Sequence, residues 1–223
     1  PGFDRATGQY TEHGIPAPVV AQYLRENRIV AEKNDLNSLL FLLTPGVEAS
    51  KAGTLISGLV AFKKLHDDNA LLEEAIPEFY RRRPGRYAGV RLRDLCMEMH
   101  KFFRQADVSA LQAKQFSADH LPPIAMSPHD AARCLVRNDV DYLPIDEIAG
   151  RIATTPFVVY PPGIATIVPG ERLTERAKPM IDYLKMFETC FNTFPGFEVE
   201  IQGLYREVDA SGRIRLYTYV VAE

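Results

Sequence analysis

The sequence predicts an α+β fold in which helices and short strands both contribute. Apolar residues recur at helical spacing in several segments, most clearly from Leu92 to Phe103. Residues 202–208 and 213–221 alternate between apolar and polar side chains, which is the pattern of a β-hairpin. Prolines and glycines divide residues 122–170 into brief runs, so any strands there must be short.

The amino-terminal part predicts a helix, two strands and a second helix. Two prolines stand at the start of an apolar run over 19–24, and they open a helix that reaches about Arg28. Residues 29–31 and 36–43 flank a polar tetrapeptide, and they predict two paired, buried strands. Apolar side chains then recur at helical spacing in a helix that ends near His66.

The rest of the chain predicts three further helices and the hairpin. A basic stretch over 81–86, broken by proline and glycine, predicts a loop at a domain boundary. One helix begins near Arg91, and Ser127, followed by a proline, is a typical N-cap for the next. A long helix covers about residues 174–194, and Gly212 can adopt the positive φ that the hairpin turn needs.

Composition argues against several classes of protein. The 26 Lys and Arg residues against 29 Asp and Glu residues give a net charge of -3, so no basic surplus is available for nucleic acid or anionic membranes. The longest strongly apolar run, 39–43, is far shorter than the roughly 18 residues of a membrane helix. The three cysteines lack disulfide-framework or metal-ligand spacing, which favours a reducing cytoplasm. Because the first residues resemble the inside of a longer chain, we expect a part of a larger protein.

Most motifs that could carry chemistry have a simpler structural interpretation. Lys101 follows a histidine within a predicted amphipathic helix, on its solvent side. The five histidines show no metal-ligand spacing, so we expect no metal site. The arginines of 81–86 could clamp a phosphate, although a basic linker explains them as well. Residues 127–130 combine Ser, His and Asp, but neighbours at a helix start do not form a catalytic triad.

Two polar features are harder to explain structurally. Glu32 opens the polar tetrapeptide Glu32-Lys33-Asn34-Asp35 between apolar runs, so one of its side chains could face a cleft and a ligand, or the four residues could form a plain β-turn. Tyr160 precedes Pro161-Pro162-Gly163 between two strand-like runs, so this rigid turn could hold the phenol at a channel or serve the fold alone.

Several motifs together resemble the carboxyl-terminal part of the bacterial ornithine/lysine/arginine decarboxylases. These motifs are residues 23–33, residues 35–45, Gly150-Arg151-Ile152-Ala153, Tyr160-Pro161-Pro162-Gly163, Pro169-Gly170-Glu171, Pro195-Gly196-Phe197 and Gln202-Gly203-Leu204-Tyr205. Residues 87–89, 95–100 and 209–219 are most similar to the ornithine-using branch. The resemblance covers the whole chain.

The resemblance implies a fold-type I (aspartate-aminotransferase-like) enzyme that uses pyridoxal phosphate. Residues 1–75 correspond to the end of its small subdomain, and residues 76–223 to the family's carboxyl-terminal α+β domain. The upstream domain of the family carries the Ser-x-His-Lys lysine and binds the cofactor. This sequence lacks that motif, so the resemblance implies neither a catalytic nor a cofactor-binding residue here.

The resemblance also implies two substrate-binding residues. Glu32 matches the family's acidic residue at the substrate end of the pocket, and Tyr160 matches the tyrosine of the entry channel. A carboxylate suits a dibasic amino acid, because it can hold the distal cation. Ala31 departs from the family, where a proline commonly precedes the Glu-Lys pair.

Two functions follow as hypotheses. In the first, the chain belongs to a decarboxylase that converts ornithine, or else lysine or arginine, to its amine and CO2, and it is inert alone. The expected partners are the upstream pyridoxal-phosphate domain, further copies in a homodimer or larger homo-oligomer, and the dibasic amino acid. In the second, the chain is a non-catalytic interaction or regulatory module that assembles with a decarboxylase core.

Overall fold

The computed structural model describes residues 2–4, 6–160 and 163–223, and it confirms the α+β class. The chain forms two compact units. One contains Pro1–Ala106 and Pro195–Phe197, and the other contains Asp107–Phe194 and Glu198–Glu223. The expected boundary between residues 75 and 76 falls within the first of these units, and as a boundary between family domains it stays a prediction.

The first unit consists of helices and two very short antiparallel hairpins. Its helices are α1 (Ala17–Glu26), α2 (Ala49–Asp67), α3 (Leu72–Ala75), α4 (Pro77–Arg82), α5 (Pro84–Tyr87) and α6 (Leu92–Gln105). Its strands are β1 (Phe3–Asp4) with β2 (Gln9–Tyr10), and β3 (Lys33–Asn34) with β4 (Leu39–Leu40). The core includes the predicted apolar stripe of α6, where Leu92, Leu95, Met99 and Phe103 are buried.

In its described residues, the second unit combines three α-helices with two antiparallel sheets. The helices are α7 (Val108–Lys114), α8 (Pro128–Arg137) and α9 (Lys178–Thr193), and single 3-10 turns cover Ala118–His120 and Glu175–Ala177. The strands are β5 (Val140–Pro144), β6 (Phe157–Tyr160), β7 (Ile164–Ile167), β8 (Glu200–Gln202), β9 (Tyr205–Val208) and β10 (Ile214–Val221). Their orders are β5-β10-β9 and β7-β6-β8.

Helix α9 is fixed to strand β10 by polar contacts as well as by its buried face. The Asn192 amide donates to the carbonyl of Ile214 and accepts from the Ile214 N–H, both at 2.8 Å. One turn earlier, the Glu188 carboxylate accepts from the Leu216 N–H at 2.6 Å. These bonds satisfy backbone groups of β10 that would otherwise be buried without partners.

The predicted helices and the hairpin are confirmed, with small shifts at their ends. Helix α1 ends at Glu26, and the long carboxyl-terminal helix begins as a 3-10 turn before α9. Strand β9 pairs with β10, and Gly212 has a φ of 80°. Gln202 differs, because it pairs with Val158 of β6 instead of joining the hairpin.

Ser127 caps α8 as predicted, since its hydroxyl accepts from the Asp130 N–H at 3.1 Å. We expect Ser127→Ala to reduce the free energy of unfolding by about 1 kcal/mol, because one N-terminal N–H loses its partner. Urea unfolding measures the loss. Ser127→Asp restores an acceptor and should recover most of it, whereas equal losses in both variants would contradict a capping role.

Two expectations are wrong. The basic stretch 81–86 is not a boundary loop, because it forms the end of α4 and most of α5. The carboxylate of Glu26 accepts from the N–H groups of Glu78 and Phe79, at 3.0 and 2.7 Å, and so caps α4 from a distant part of the chain. The two paired, buried strands expected at 29–31 and 36–43 are also wrong in position and in burial. The strands that pair are β3 and β4, residues 29–31 form no strand, and most of the second run is not buried. Leu36 is buried, but Leu40, Leu42 and Leu43 are exposed.

Candidate substrate-binding segments

Glu32 lies at the base of the β3–β4 hairpin. Its N–H donates to the carbonyl of Leu40 at 2.9 Å, and Lys33 pairs with the same residue across the ladder. The turn follows at Asp35, whose carboxylate accepts from the N–H groups of Asn37 and Ser38, both at 2.6 Å. The β-turn alternative for residues 32–35 is therefore wrong, because Lys33 and Asn34 form a strand and the chain reverses after Asp35.

The Glu32 side chain is exposed on this chain. The backbone hydrogen bond to Leu40 fixes the start of the Glu32 side chain, and Lys33 follows it as the first residue of strand β3. The carboxylate is thus available at the surface of the first unit. Its role in substrate binding stays a prediction.

Tyr160 is the last residue of β6, in the second unit. It pairs with Glu200 of β8, and its side chain is 39% exposed. Gly163 has a φ of 85°, and a Cβ there would lie 2.9 Å from Cδ2 of the Tyr160 ring. The ring therefore packs closely over this glycine, and a larger residue there would force the ring to move and would strain the backbone. Pro161 and Pro162, the middle of the predicted turn, lie outside the described residues.

The Pro169-Gly170-Glu171 motif has a structural explanation in the second unit. Gly170 has a φ of 91°, and a Cβ there would lie 2.3 Å from the carbonyl oxygen of Met126. The Glu171 carboxylate closes the turn by accepting from the Val168 N–H at 2.9 Å. Burial raises the pKa of Glu171, and this hydrogen bond acts in the opposite direction.

The His100-Lys101 pair and the buried cysteines do not form reactive sites. His100 is buried, and its Nε2 lies 2.9 Å from the carbonyl oxygen of Thr11, whereas Lys101 points to solvent as predicted. Burial raises the pKa of the Cys96 and Cys190 thiols to about 12, so both stay protonated and unreactive near neutral pH. Among the residues that the structure describes, no group of three or more His, Cys, Asp and Glu side chains could hold a metal.

The arginines of 81–86 serve the packing of the first unit. The Arg83 guanidinium lies 5.7 Å from the ring centre of Phe79, and that of Arg86 lies 5.1 Å from the ring centre of Tyr87. Arg86 also pairs with Glu98 at 2.8 Å. Cation–π contacts and an ion pair account for Arg83 and Arg86 without a phosphate, whereas Arg81 and Arg82 are exposed.

A cleft in the first unit was not predicted from the sequence. It encloses about 440 Å³ and is lined by Gly2, His13, Gly14, Ile15, His66, Arg93 and Met97. These residues are spread over most of the first unit's length, so no spacing pattern in the sequence could have predicted that they meet.

Over the described ranges, no helix is both long and apolar enough to cross a membrane.

Known proteins match this chain along its whole length. The family model "Orn/Lys/Arg decarboxylase, C-terminal domain" matches residues 109–222, and "Orn/Lys/Arg decarboxylase, major domain" matches residues 1–51. Ornithine decarboxylase of Haemophilus influenzae is 42% identical over 223 residues, which are 100% of this chain and 31% of that protein. Constitutive lysine decarboxylase of Escherichia coli is 35% identical over 97% of this chain and 30% of that protein.

Solved structures agree with the sequence matches. Lysine decarboxylase A from Pseudomonas aeruginosa has a TM-score of 0.91 and 38% identity, covering 99% of this chain and 29% of that one. The E. coli constitutive lysine decarboxylase has a TM-score of 0.89 and 33% identity, with coverages of 99% and 30%. The chain thus spans about a third of the length of these relatives. Because the carboxyl-terminal domain model matches just over half of its residues, the chain belongs to the Orn/Lys/Arg decarboxylase family.

Proposed function

We propose that this chain is the carboxyl-terminal part of a pyridoxal-phosphate-dependent decarboxylase that converts a dibasic amino acid to its amine and CO2. Ornithine is the first choice of substrate, with lysine and arginine next. The observation that carries the proposal is the 42% identity to two ornithine decarboxylases over essentially the full chain, against 39% and 35% to lysine decarboxylases of Pseudomonas aeruginosa and E. coli.

The residues of this chain do not fit pyridoxal phosphate. The one His-Lys pair in the sequence is His100-Lys101, in which the histidine is buried against a carbonyl and the lysine points away into solvent. The cofactor therefore belongs to the upstream domain, which in this proposal carries out the chemistry. The chain described here contributes substrate binding and assembly.

Glu32 is the proposed contact for the distal cation of the substrate. An exposed carboxylate on a backbone fixed by hydrogen bonds can meet an ammonium or guanidinium group in a charge-assisted hydrogen bond. Tyr160 is the proposed entry-channel residue, because its partly exposed side chain presents both an apolar ring face and a hydroxyl. We further propose a cytoplasmic homodimer or larger homo-oligomer.

The full-length protein tests this proposal directly. We expect CO2 release from ornithine at a higher kcat/KM than from lysine or arginine, and the 223-residue chain alone should give no release and no cofactor absorbance with pyridoxal phosphate. Turnover by the chain alone, with one lysine trapped on the cofactor by borohydride, would contradict the proposal. A full-length protein that releases CO2 from none of the three would favour the non-catalytic module.

A further inference from the structure

Helix α2 carries apolar side chains on two sides, which is unusual for a surface helix. Between Lys51 and Lys63, residues 52–62 of α2 contain no charged side chain. At 100° per residue, Leu55, Gly58 and Phe62 fall within one arc of the helix, and Ile56, Leu59 and Val60 form a second arc centred about 120° from the first. Apolar surface that extends beyond the side facing a helix's own unit is normally covered by other protein.

The first side of α2 packs against its own unit. Phe62 is buried and meets Tyr23 of α1 edge-on, with ring centres 5.3 Å apart. A Cβ on Gly58 would lie 2.9 Å from Cδ1 of Ile29 and 3.2 Å from Cδ2 of Leu24, so the helices approach closely at the glycine. This contact accounts for one apolar face of α2 and leaves the other unexplained.

The second side of α2 is open to solvent. Ile56 and Val60 are 62% and 63% exposed, and Leu59 is 38% exposed. The β3–β4 hairpin and the segments on either side of it have the same character, because Leu40 of β4 and the flanking Val30, Leu42 and Leu43 are all exposed. Seven of the eighteen exposed large apolar residues in the described part of the chain thus fall between residues 30 and 60. Such a concentration of apolar surface indicates an interaction site.

We propose that the outer face of α2 (Ile56, Leu59 and Val60), together with the exposed leucines in and just after strand β4 (Leu40, Leu42 and Leu43), is the docking surface for the upstream remainder of the major domain in the same polypeptide. This inference rests on the proposed function, because it requires the upstream part that the relatives contain. The major-domain model matches residues 1–51, so the hairpin lies inside that match and α2 begins at its end. The relatives are about three times longer than this chain, which leaves most of that domain to cover the face.

Cysteine labelling of the full-length protein tests the docking surface. Val60→Cys places a thiol on the outer face, and Val136→Cys on α8, where the side chain is 86% exposed, is the matched control. Each maleimide labelling rate is compared with that of the same protein unfolded in urea, and each site is read by peptide mass spectrometry. We expect protection of at least about a hundredfold at position 60 and only a few-fold at position 136.

A photo-crosslinking residue at position 60 identifies what covers the face. In a mixture of ¹⁴N- and ¹⁵N-labelled full-length protein, we expect cross-links to upstream residues of the same chain. Cross-links of mixed isotope content would assign the face to a second copy and overturn the proposal. Labelling at position 60 as fast as in urea would also overturn it, and Ile56→Cys repeats the measurement if Val60→Cys does not fold.

Decarboxylation by the unmodified full-length protein separates the two proposals. Protection at position 60 without CO2 release from any dibasic amino acid would retain the docking surface and refute the proposed function. CO2 release together with fast labelling would refute the docking surface alone.

Discussion

Glu32→Gln in the full-length enzyme is expected to lower kcat/KM for the dibasic amino acid by about tenfold to a hundredfold. The substitution keeps the shape of the side chain and removes its charge. A hydrogen bond to a charged group contributes about 1.5 to 3 kcal/mol, which corresponds to that range. Because Glu32 is exposed on this chain, the variant should fold normally, and cofactor content should be unchanged. Steady-state kinetics with bound-cofactor spectroscopy measures both quantities.

Lys33→Met is the matched control for Glu32. In the competing interpretation the two residues form a surface ion pair, which contributes at most about 1 kcal/mol. Lys33 lies in strand β3, and because adjacent side chains of an extended chain alternate, we expect its loss to leave kcat/KM nearly unchanged. An unchanged kcat/KM in Glu32→Gln would remove this residue from the site, and equal losses in both variants would favour the ion pair.

Gly203→Ala is expected to destabilise the second unit by roughly 3 kcal/mol or more. Gly203 has a φ of 82°, a conformation in which an L-residue is strained. The added Cβ would also lie 2.1 Å from the carbonyl oxygen of Pro156, so the backbone leading into β6 must move. The Thr218 hydroxyl donates to the Gly203 carbonyl at 2.7 Å, and that bond would be disturbed as well.

Gly212→Ala separates backbone strain from steric overlap. Gly212 has a φ of 80°, nearly that of Gly203, but nothing lies within 4 Å of its added Cβ. We expect a loss of about 1 to 2 kcal/mol at this position from the left-handed conformation alone. Urea unfolding of both variants, followed by far-ultraviolet circular dichroism, gives the comparison. Equal losses would mean that the approach of Pro156 contributes nothing.

The sequence alone predicted those elements that depend on local interactions. The apolar spacing of α6 predicts a helix because the same spacing buries one face, and it does so from Leu92 to Phe103. Ser127 caps α8 by accepting a hydrogen bond from the N–H of a residue three positions later, so its role could be predicted from neighbouring residues. The alternation before and after Gly212 predicted the β9–β10 hairpin for the same reason.

Family membership also followed from the sequence, because it depends on residues at fixed intervals along the chain. The motifs around Tyr160 and Gly170 carried the resemblance, and the family models confirm it. What those motifs do was not apparent from their spacing. Gly170 is required by a carbonyl of Met126, more than forty residues away, and that approach exists only in the folded unit.

Tertiary structure decided the features that depend on distant partners. Helices α4 and α5 are too short to show a periodicity, and α4 is capped by Glu26 from another helix, so a basic segment that looked like a loop is helical. The leucines of 36–43 looked buried because they are apolar, yet three of them are exposed. An apolar run in the sequence indicates a segment whose side chains pack against other protein. Which part of the protein they pack against depends on residues far away in sequence.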